Sequence, residues 1–149
     1  MAGIGGDAAA YVANFQASAD AAPDLDFMIE AINAVAIPGY FVDTFANARR
    51  LHAAIGCRNV RLQADLYHMQ VDGDAILPAL DESIAAINHV QIAGHPGRIE
   101  PDSAACHSML NHLDTLGYAG HVGCEYHPAG ATVEGLGWLR RHRANAYSG

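Results

Sequence analysis

The stretch NVRLQADLYHMQ, residues 59–70, decides the fold because its first half alternates between apolar and polar side chains. Successive residues of a strand point to opposite faces of a sheet. One face of this predicted strand carries Val60, Leu62 and Ala64, and the other carries Arg61, Gln63 and Asp65. An open α/β sheet covered by helices on both sides should be apolar on both faces. The polar second face therefore favours a barrel, with helices outside and polar groups inside.

The same strand-then-helix unit occurs four times from Leu25 onward. The predicted strands are 25–30, 59–65, 88–93 and 121–126, and the predicted helices after them are 44–55, 75–86, 103–116 and 132–143. Serial units of this kind imply parallel strands joined by right-handed crossovers. A (β/α)₈ barrel typically needs about 250 residues, so four units in 149 residues amount to half of one. We expect residues 1–24 to form a helical or linker segment and residues 25–149 to form the half-barrel domain.

Composition excludes several classes of function. Sixteen acidic against eight basic residues give a net charge of −8, which repels phosphate backbones and argues against a nucleic-acid partner. All eight basic residues are arginines, so catalysis through a lysine Schiff base is excluded within this chain. No apolar run approaches the roughly 20 residues that span a bilayer, and the first residues have no basic region typical of a signal peptide. We therefore expect a cytoplasmic protein with no membrane partner.

An oxygen-bearing side chain lies at or near the carboxyl end of each predicted strand. These side chains are Glu30, Asp65, Gln91 and Glu125. The carboxyl ends of barrel strands face the active site, so we expect the four groups to converge there. Carboxylate and amide oxygens suit Mg²⁺ or Mn²⁺ better than zinc. The set predicts a divalent metal site, although any one of these acids alone is more typical of a capping or solvated group.

Two further residues are candidates for binding a small-molecule substrate. His68 follows Asp65 by three positions and is predicted either to donate to a substrate oxygen or to pack on Tyr67 as an ordinary loop histidine. Arg98 lies in the loop after the third strand. It is predicted either to hold a substrate carboxylate through its planar guanidinium or to be a surface arginine.

Four stretches of the chain resemble the hydroxypyruvate isomerase family of xylose-isomerase-like TIM barrels. They read IEAINAVAIPGYF, NVRLQADLYHMQ, HVQIAGHPGRIEPD and GYAGHVGCEYHPAG. The similarity runs from Asp26 to Leu139 and corresponds to the C-terminal half of the family's barrel, strands five to eight. The resemblance implies that Glu30, Asp65, Gln91 and Glu125 are the metal ligands. It also implies that Glu30 and Glu125 are the family's pair of catalytic glutamates.

The resemblance implies a specific reaction, the interconversion of hydroxypyruvate and tartronate semialdehyde. This aldose–ketose type of isomerisation moves a proton between adjacent carbons through an enediolate. A divalent ion stabilises the charge that develops on the substrate oxygens, and two glutamates exchange base and acid roles. The substrate is then expected to be a small 2-oxo or 2-hydroxy acid or a small ketose.

The chain departs from the family pattern in three loops. Gly94 stands where the family usually has Asp after QIA, and DSAAC follows EP where the family usually has a Gly-Glu pair. After Glu30 the family tends to Pro-x-Asn, and this chain reads AINAVAI. These departures affect substrate-facing loops more than the implied metal ligands.

Three hypotheses for function follow from these observations. The first is a metal-dependent isomerase whose barrel is completed by a second copy, as a homodimer, or by a partner chain. The second is a truncated, catalytically inactive fragment that self-associates or needs a partner chain. The third is a metal-dependent DNA-repair nuclease with a related barrel, which the acidic balance disfavours.

Overall fold

The computed structural model describes residues 3–146, without the side chains of residues 143–146. The outermost residues of the two predicted segments, 1–2 and 147–149, lie outside this description. The strands are β1 (Phe27–Glu30), β2 (Val60–Asp65), β3 (Ile87–Ile92) and β4 (Val122–Cys124). The helices are α1 (Ala8–Ala21), α2 (Phe45–Ile55), α3 (Leu66–Asp72), α4 (Ile76–Ser83), α5 (Ala104–Thr115) and α6 (Gly137–Ala146). Among residues 3–146, no helix has the length and apolar character needed to cross a bilayer.

The four strands form one parallel sheet in the order β1-β2-β3-β4. Sequential parallel strands joined through helices are the expected arrangement of a half barrel. The register places Glu30 beside Gln63, whereas Asp65 lies beside Gln91. Glu30 is therefore level with a residue two positions before Asp65. Its carboxylate lies one pleat further from the carboxyl end of the sheet than that of Asp65.

The two faces of the sheet differ as the alternation in residues 59–70 predicted. The outer face is buried against the helices through Ile29, Leu62, Ala64, Val90 and Ile92. The inner face carries half-buried Arg61, Gln63 and Gln91. Burial of the apolar face is the main stabilising contribution, at roughly 25 cal/mol per Å² of apolar surface removed from water.

Helix α1 shares the hydrophobic core with the half barrel. Its buried residues Tyr11, Phe15 and Ala19 belong to the same cluster as the buried face of α2, and the two helices are in contact. Helix α2 begins where the Thr44 hydroxyl accepts a hydrogen bond from the Asn47 amide at 3.2 Å, and it ends at Gly56 with a φ of 65°. These end signals explain why its predicted bounds, 44–55, agree with the structure.

A short helix, α3, occupies residues that the sequence analysis assigned to a loop. Its first turn is capped by Asp65, whose Oδ1 accepts a hydrogen bond from the Tyr67 amide at 2.8 Å. Gly73, with a φ of 72°, ends it. Seven residues are too few to show a helical period in sequence, so only the capping interactions reveal this element.

The last strand is shorter than predicted, and the last helix begins and ends later than predicted. Strand β4 ends at Cys124, so Glu125 lies one residue beyond the strand and not within it as predicted. Beyond Cys124 the backbone bonds to the loop after β3 and not to a neighbouring strand: the Arg98 side chain donates to the Glu125 carbonyl at 3.0 Å. Helix α6 begins at Gly137 instead of residue 132, after a 3₁₀ turn at Glu134–Leu136. The glycines at 135 and 137 disfavour an earlier helix start.

Candidate metal and active site

The described side chains at the carboxyl end of the sheet form a connected polar network. Glu30 is the last residue of β1, Asp65 is the last residue of β2, and Gln91 is the penultimate residue of β3. Glu125 follows β4 directly. The strand geometry alone thus brings one oxygen-bearing side chain from each β/α unit to the same edge.

Glu30, Asp65 and His68 form the most compact part of the network. One potential ligand atom from each of the three lies within 4.8 Å of the others. Asp65 and His68 are each only 3% exposed, and Glu30 is partly buried. Nε2 of His68 lies 3.6 Å from Oδ2 of Asp65. Two carboxylates and an imidazole are therefore gathered at the carboxyl end of the sheet, two of the three groups buried.

Gln63 and Gln91 extend the network toward Glu125. The Gln63 amide donates to Oε1 of Gln91 at 2.5 Å, and the Gln91 amide donates to Oε2 of Glu125 at 3.1 Å. Gln63 also forms a side-chain hydrogen bond with Glu30. The two glutamates that the resemblance pairs are thus linked through two glutamines.

Arg98 joins the two sides of the site. Its Nη2 lies 3.3 Å from Oδ2 of Asp65 and 2.9 Å from Oε2 of Glu125. Its guanidinium carbon lies 5.2 Å from the ring centroid of Tyr67, a cation–π contact. Arg98 partly neutralises both of these carboxylates.

A tight loop aims Arg98 at the carboxylates. Gly94 and Ile99 pair in antiparallel fashion, with hydrogen bonds of 2.8 and 3.1 Å between their backbones. Arg98 has a φ of 53°, in the left-handed region, which turns its side chain back over the sheet. A Cβ atom on Gly94 would overlap the Glu100 carbonyl oxygen. The departure from Asp at this position therefore has a steric reason in this chain.

The environment alters the proton affinity of two groups in the site. Burial raises the pKa of Glu30, and the nearby charges of Asp65 and Glu125 raise it further, while a hydrogen bond from Gln63 and the charge of Arg98 oppose this. Burial lowers the pKa of His68, and the Asp65 carboxylate offsets part of that shift. The site therefore favours a neutral imidazole beside a glutamate of increased basicity.

The donor chemistry fits a hard divalent cation. Three carboxylates and an amide oxygen are typical of Mg²⁺ or Mn²⁺ sites. The mutual repulsion that raises the pKa of Glu30 would be relieved by a cation placed among these groups. The compact cluster differs from the predicted quartet because it contains His68, whereas Gln91 is hydrogen-bonded to Glu125, and Glu125 also contacts Arg98.

The structure brings all six residues singled out in the sequence into one region. It also adds residues that the sequence analysis did not name as site residues, namely Asn33, Gln63 and Tyr67. Gln63 was on the predicted polar face, and its position two residues before Asp65 was the signal that could have identified it. The Asn of the family's Pro-x-Asn pattern falls on Asn33, but its contact with His68 spans 35 positions and had no local signal.

The chain is similar to known proteins of one family. The family model of xylose isomerase-like TIM barrels matches residues 6–142. A 2-oxo-tetronate isomerase from Cupriavidus necator is 42% identical over 137 residues, which cover 89% of this chain and 52% of that protein. The hydroxypyruvate isomerase of Escherichia coli is 34% identical over 122 residues, which cover 80% and 47%, respectively. The chain therefore spans about half the length of the curated relatives it matches.

Solved structures agree with the half-barrel architecture. The AP endonuclease, family 2, from Brucella melitensis superposes with a TM-score of 0.84 and 34% identity, covering 90% of this chain and 54% of that one. The 3-keto-D-glucoside 4-epimerase from E. coli superposes with a TM-score of 0.70 at 24% identity, covering 87% and 51%. The second likeness concerns the fold alone. The expected half of a (β/α)₈ barrel is thereby confirmed.

Proposed function

The chain belongs to the xylose isomerase-like TIM barrel family, and we propose that it carries the catalytic half of a divalent-metal-dependent isomerase for small 2-oxo acids. The observation that carries this proposal is the convergence of Glu30, Asp65 and His68 at the carboxyl end of the sheet. The names of the relatives, 2-oxo-tetronate isomerase and hydroxypyruvate isomerase, support hydroxypyruvate or a four-carbon 2-oxo acid as the substrate.

The proposed metal ligands are Glu30, Asp65, Gln91 and Glu125. A bound Mg²⁺ or Mn²⁺ supplies electrostatic stabilisation of the negative charge that develops on the substrate oxygens. Oε1 of Gln91 accepts one hydrogen bond from Gln63, and its second lone pair would bind the cation.

Glu30 and Glu125 are the proposed proton carriers. The reaction removes a proton from one substrate carbon and returns a proton to the neighbouring one. The raised pKa of Glu30 favours it as the acceptor of the first proton, because a base works best when its pKa lies near the operating pH. Glu125 is more exposed and lies across the network from Glu30, on the side where the substrate enters.

Arg98 and His68 are the proposed substrate-binding residues. Nη2 of Arg98 already contacts two carboxylates, and a planar guanidinium can also hold a substrate carboxylate. A cavity of about 190 Å³, lined by Arg98, Glu125, Tyr126 and His127, adjoins the site and has room for a molecule of three or four carbons. Nε2 of His68 faces the carboxylates from the β2 side and would donate to a substrate oxygen.

The proposal includes a second half barrel. Strand β1 pairs only with β2, and β4 pairs only with β3, so both edges of the described sheet are free. A second copy of this chain, or a separate partner chain, would close the wall around the carboxylates. The alternative is an inactive module, and the assay below separates the two.

The test is an isomerisation assay by proton NMR in D₂O. Hydroxypyruvate is incubated with Mg²⁺ or Mn²⁺ and the chain, either alone at increasing concentration or mixed with the N-terminal half of the Cupriavidus necator relative. We expect tartronate semialdehyde, with deuterium at the reacting carbon, only under conditions where sedimentation shows an associated species. Glu30→Gln and Glu125→Gln should each lower kcat by at least about a hundredfold.

Glu82→Gln is the matched control, because Glu82 is exposed on α4 and pairs with Arg49 away from the site. Absence of turnover in every associated state of the folded protein would favour the inactive module. A third arm measures binding to duplex DNA with an abasic site at low salt. Tight binding there would favour the nuclease hypothesis, against which the net charge of −8 argues.

A further inference from the structure

Asn33 is buried in the loop after β1 and contacts the back of the His68 imidazole. The side chain is 1% exposed. Its amide nitrogen lies 2.6 Å from Nδ1 of His68, and its backbone N–H donates to the same nitrogen at 3.3 Å. Two groups of one residue therefore converge on one ring atom.

The orientation of the Asn33 amide is fixed by a third hydrogen bond. Its Oδ1 accepts from the Ala36 backbone amide at 2.8 Å. The NH₂ group must then be the end that faces His68, so both groups that Asn33 presents to Nδ1 are donors. A proton on Nδ1 would face two donors in a buried place with no acceptor, which is strongly unfavourable.

We propose that Asn33 is a positioning residue that holds His68 as the Nε2–H tautomer and thereby keeps the imidazole out of the metal coordination sphere. A nitrogen binds a metal through its lone pair, and in this tautomer the ring atom that faces Asp65 carries a proton instead. The proximity of His68 to Glu30 and Asp65 then serves hydrogen-bond donation to a substrate oxygen.

This arrangement has a consequence for metal choice, which rests on the proposed metal site. With His68 excluded, the remaining ligands are all oxygens, which favour Mg²⁺ or Mn²⁺. If the Nε2 lone pair faced the carboxylates, the site would contain a nitrogen ligand and would favour zinc. Asn33 is thus a determinant of metal selectivity that acts through a side chain it touches.

The tautomer is tested by ¹⁵N NMR of histidine-labelled, metal-free protein at about pH 8, above the ordinary histidine pKa of about 6.5. The His68→Gln variant assigns the His68 signals among the nine histidines. We expect a protonated Nε2 in the wild type. Asn33→Ala keeps only the longer backbone donor, at 3.3 Å, and should shift part of the population to the Nδ1–H tautomer. Asn33→Asp should place the proton on Nδ1, since a carboxylate accepts it.

A proton on Nδ1 of the wild-type protein would overturn the proposal, and so would an unchanged tautomer in folded Asn33→Asp. The wild-type and His68→Gln spectra decide the tautomer even if Asn33→Asp does not fold. This arm is independent of any isomerase activity.

Metal choice is tested by calorimetric titration with Mn²⁺ and Zn²⁺. Asn33→Asp should raise the preference for Zn²⁺ over Mn²⁺ by at least about tenfold relative to wild type. Adding His68→Gln to Asn33→Asp should abolish that gain. An unchanged preference after the tautomer has switched would overturn the selectivity role. If neither cation binds the wild type, the proposed metal site and the effect on metal choice are both contradicted, while the spectra still decide the tautomer.

Discussion

Glu30 shows how the surroundings of a single carboxylate raise its pKa. It lies one pleat below Asp65, where burial and two neighbouring acids raise its pKa. The same surroundings make the ionised form costly in the folded protein. The cost of ionising Glu30 in the folded protein accords with its proposed role as a base, because perturbed pKa values are common in active sites.

Replacing Glu30 with Gln should stabilise the metal-free protein at pH 7. The folded state holds the Glu30 proton more tightly than the unfolded chain does, so stability falls as pH rises from the ordinary value of 4.5 through the raised pKa. We expect a gain of about 2–4 °C in Tm, the change that about 1 kcal/mol produces in a domain of this size.

Thermal unfolding with a chelator present measures the effect of this replacement. The gain should disappear at about pH 4, where wild-type Glu30 is protonated, and added Mn²⁺ should stabilise the wild type more than the variant. An equal gain at both pH values would show that ionisation of Glu30 is not the cause.

Asp65 combines a structural and a proposed metal-binding role, and two substitutions should separate them. Its Oδ1 caps α3, while its Oδ2 faces Arg98 and His68. Asp65→Asn keeps a capping oxygen but presents an NH₂ group to the donors of Arg98 and His68, so we expect loss of divalent metal binding and some loss of stability. Asp65→Ala removes the cap as well and should cost about 1 kcal/mol or more. Urea unfolding and metal titration of both variants give the comparison, and metal binding by Asp65→Asn at wild-type affinity would contradict the assigned role.

At the scale of elements, the loop from Gly94 to Ile99 positions Arg98 in the site, which its sequence does not indicate. It folds back on itself through two backbone hydrogen bonds and presents Arg98 in a left-handed conformation. The His127 amide donates to the Arg98 carbonyl at 2.7 Å, so the loop also holds the segment after β4. Two β/α units are thereby joined at the site, and Arg98 and Glu125 are held together.

Gly94→Ala should disturb this loop and weaken substrate binding. The new Cβ would overlap the Glu100 carbonyl oxygen and lie 3.1 Å from Cγ1 of Ile99. We expect a loss of about 1–3 kcal/mol in unfolding free energy, as for other overpacked positions, together with an increased KM. Gly130→Ala is the control, since its Cβ would meet only Oε2 of Glu134 at 3.5 Å, an ordinary contact. Urea unfolding compares the two, and equal stability would contradict the steric argument.

At the scale of the whole molecule, the free edges of the sheet are the dominant feature. The chain spans about half the length of its relatives, and the described sheet has four parallel strands with an unpaired edge on each side. Unpaired edges are templates for pairing with another strand. The polar face that should line a barrel interior is therefore enclosed only if another half barrel joins the sheet.

Met28→Pro should block association through the β1 edge. The Phe27 amide donates to the Asn59 carbonyl, toward β2, so by alternation along the strand the Met28 amide points to the free edge. Proline removes that donor while leaving the pairing with β2. We expect wild-type protein to self-associate with increasing concentration and Met28→Pro to raise the dissociation constant by at least about tenfold.

Sedimentation equilibrium measures the association of the wild type and the variants. Met28→Thr is the control because it changes the side chain but keeps the amide donor. Association of Met28→Pro equal to that of the wild type would exclude β1 pairing as the contact.

Local patterns were sufficient to predict most elements. The alternation from Val60 to Asp65 predicted the strand and its two faces, and Thr44 and Gly56 marked the ends of α2. Helix α3 and the early end of β4 were not predictable. Helix α3 depends on capping by Asp65, which the sequence analysis interpreted only as a metal ligand. The end of β4 is accompanied by a hydrogen bond from Arg98 to Glu125, 27 positions away.

The sequence by itself determined the half-barrel class and the set of oxygen-bearing residues at the strand ends, because strand alternation and the strand–helix repeat are local properties. Only the tertiary structure decided how those residues are partnered. Arg98 between Asp65 and Glu125, the glutamine bridge, and Asn33 behind His68 all join residues at least 27 positions apart. Contacts of that kind depend on sheet register and loop path, which no local pattern encodes. They moderate the pKa of Glu30, which burial raises, and they set the orientation of the groups that Arg98 and His68 present.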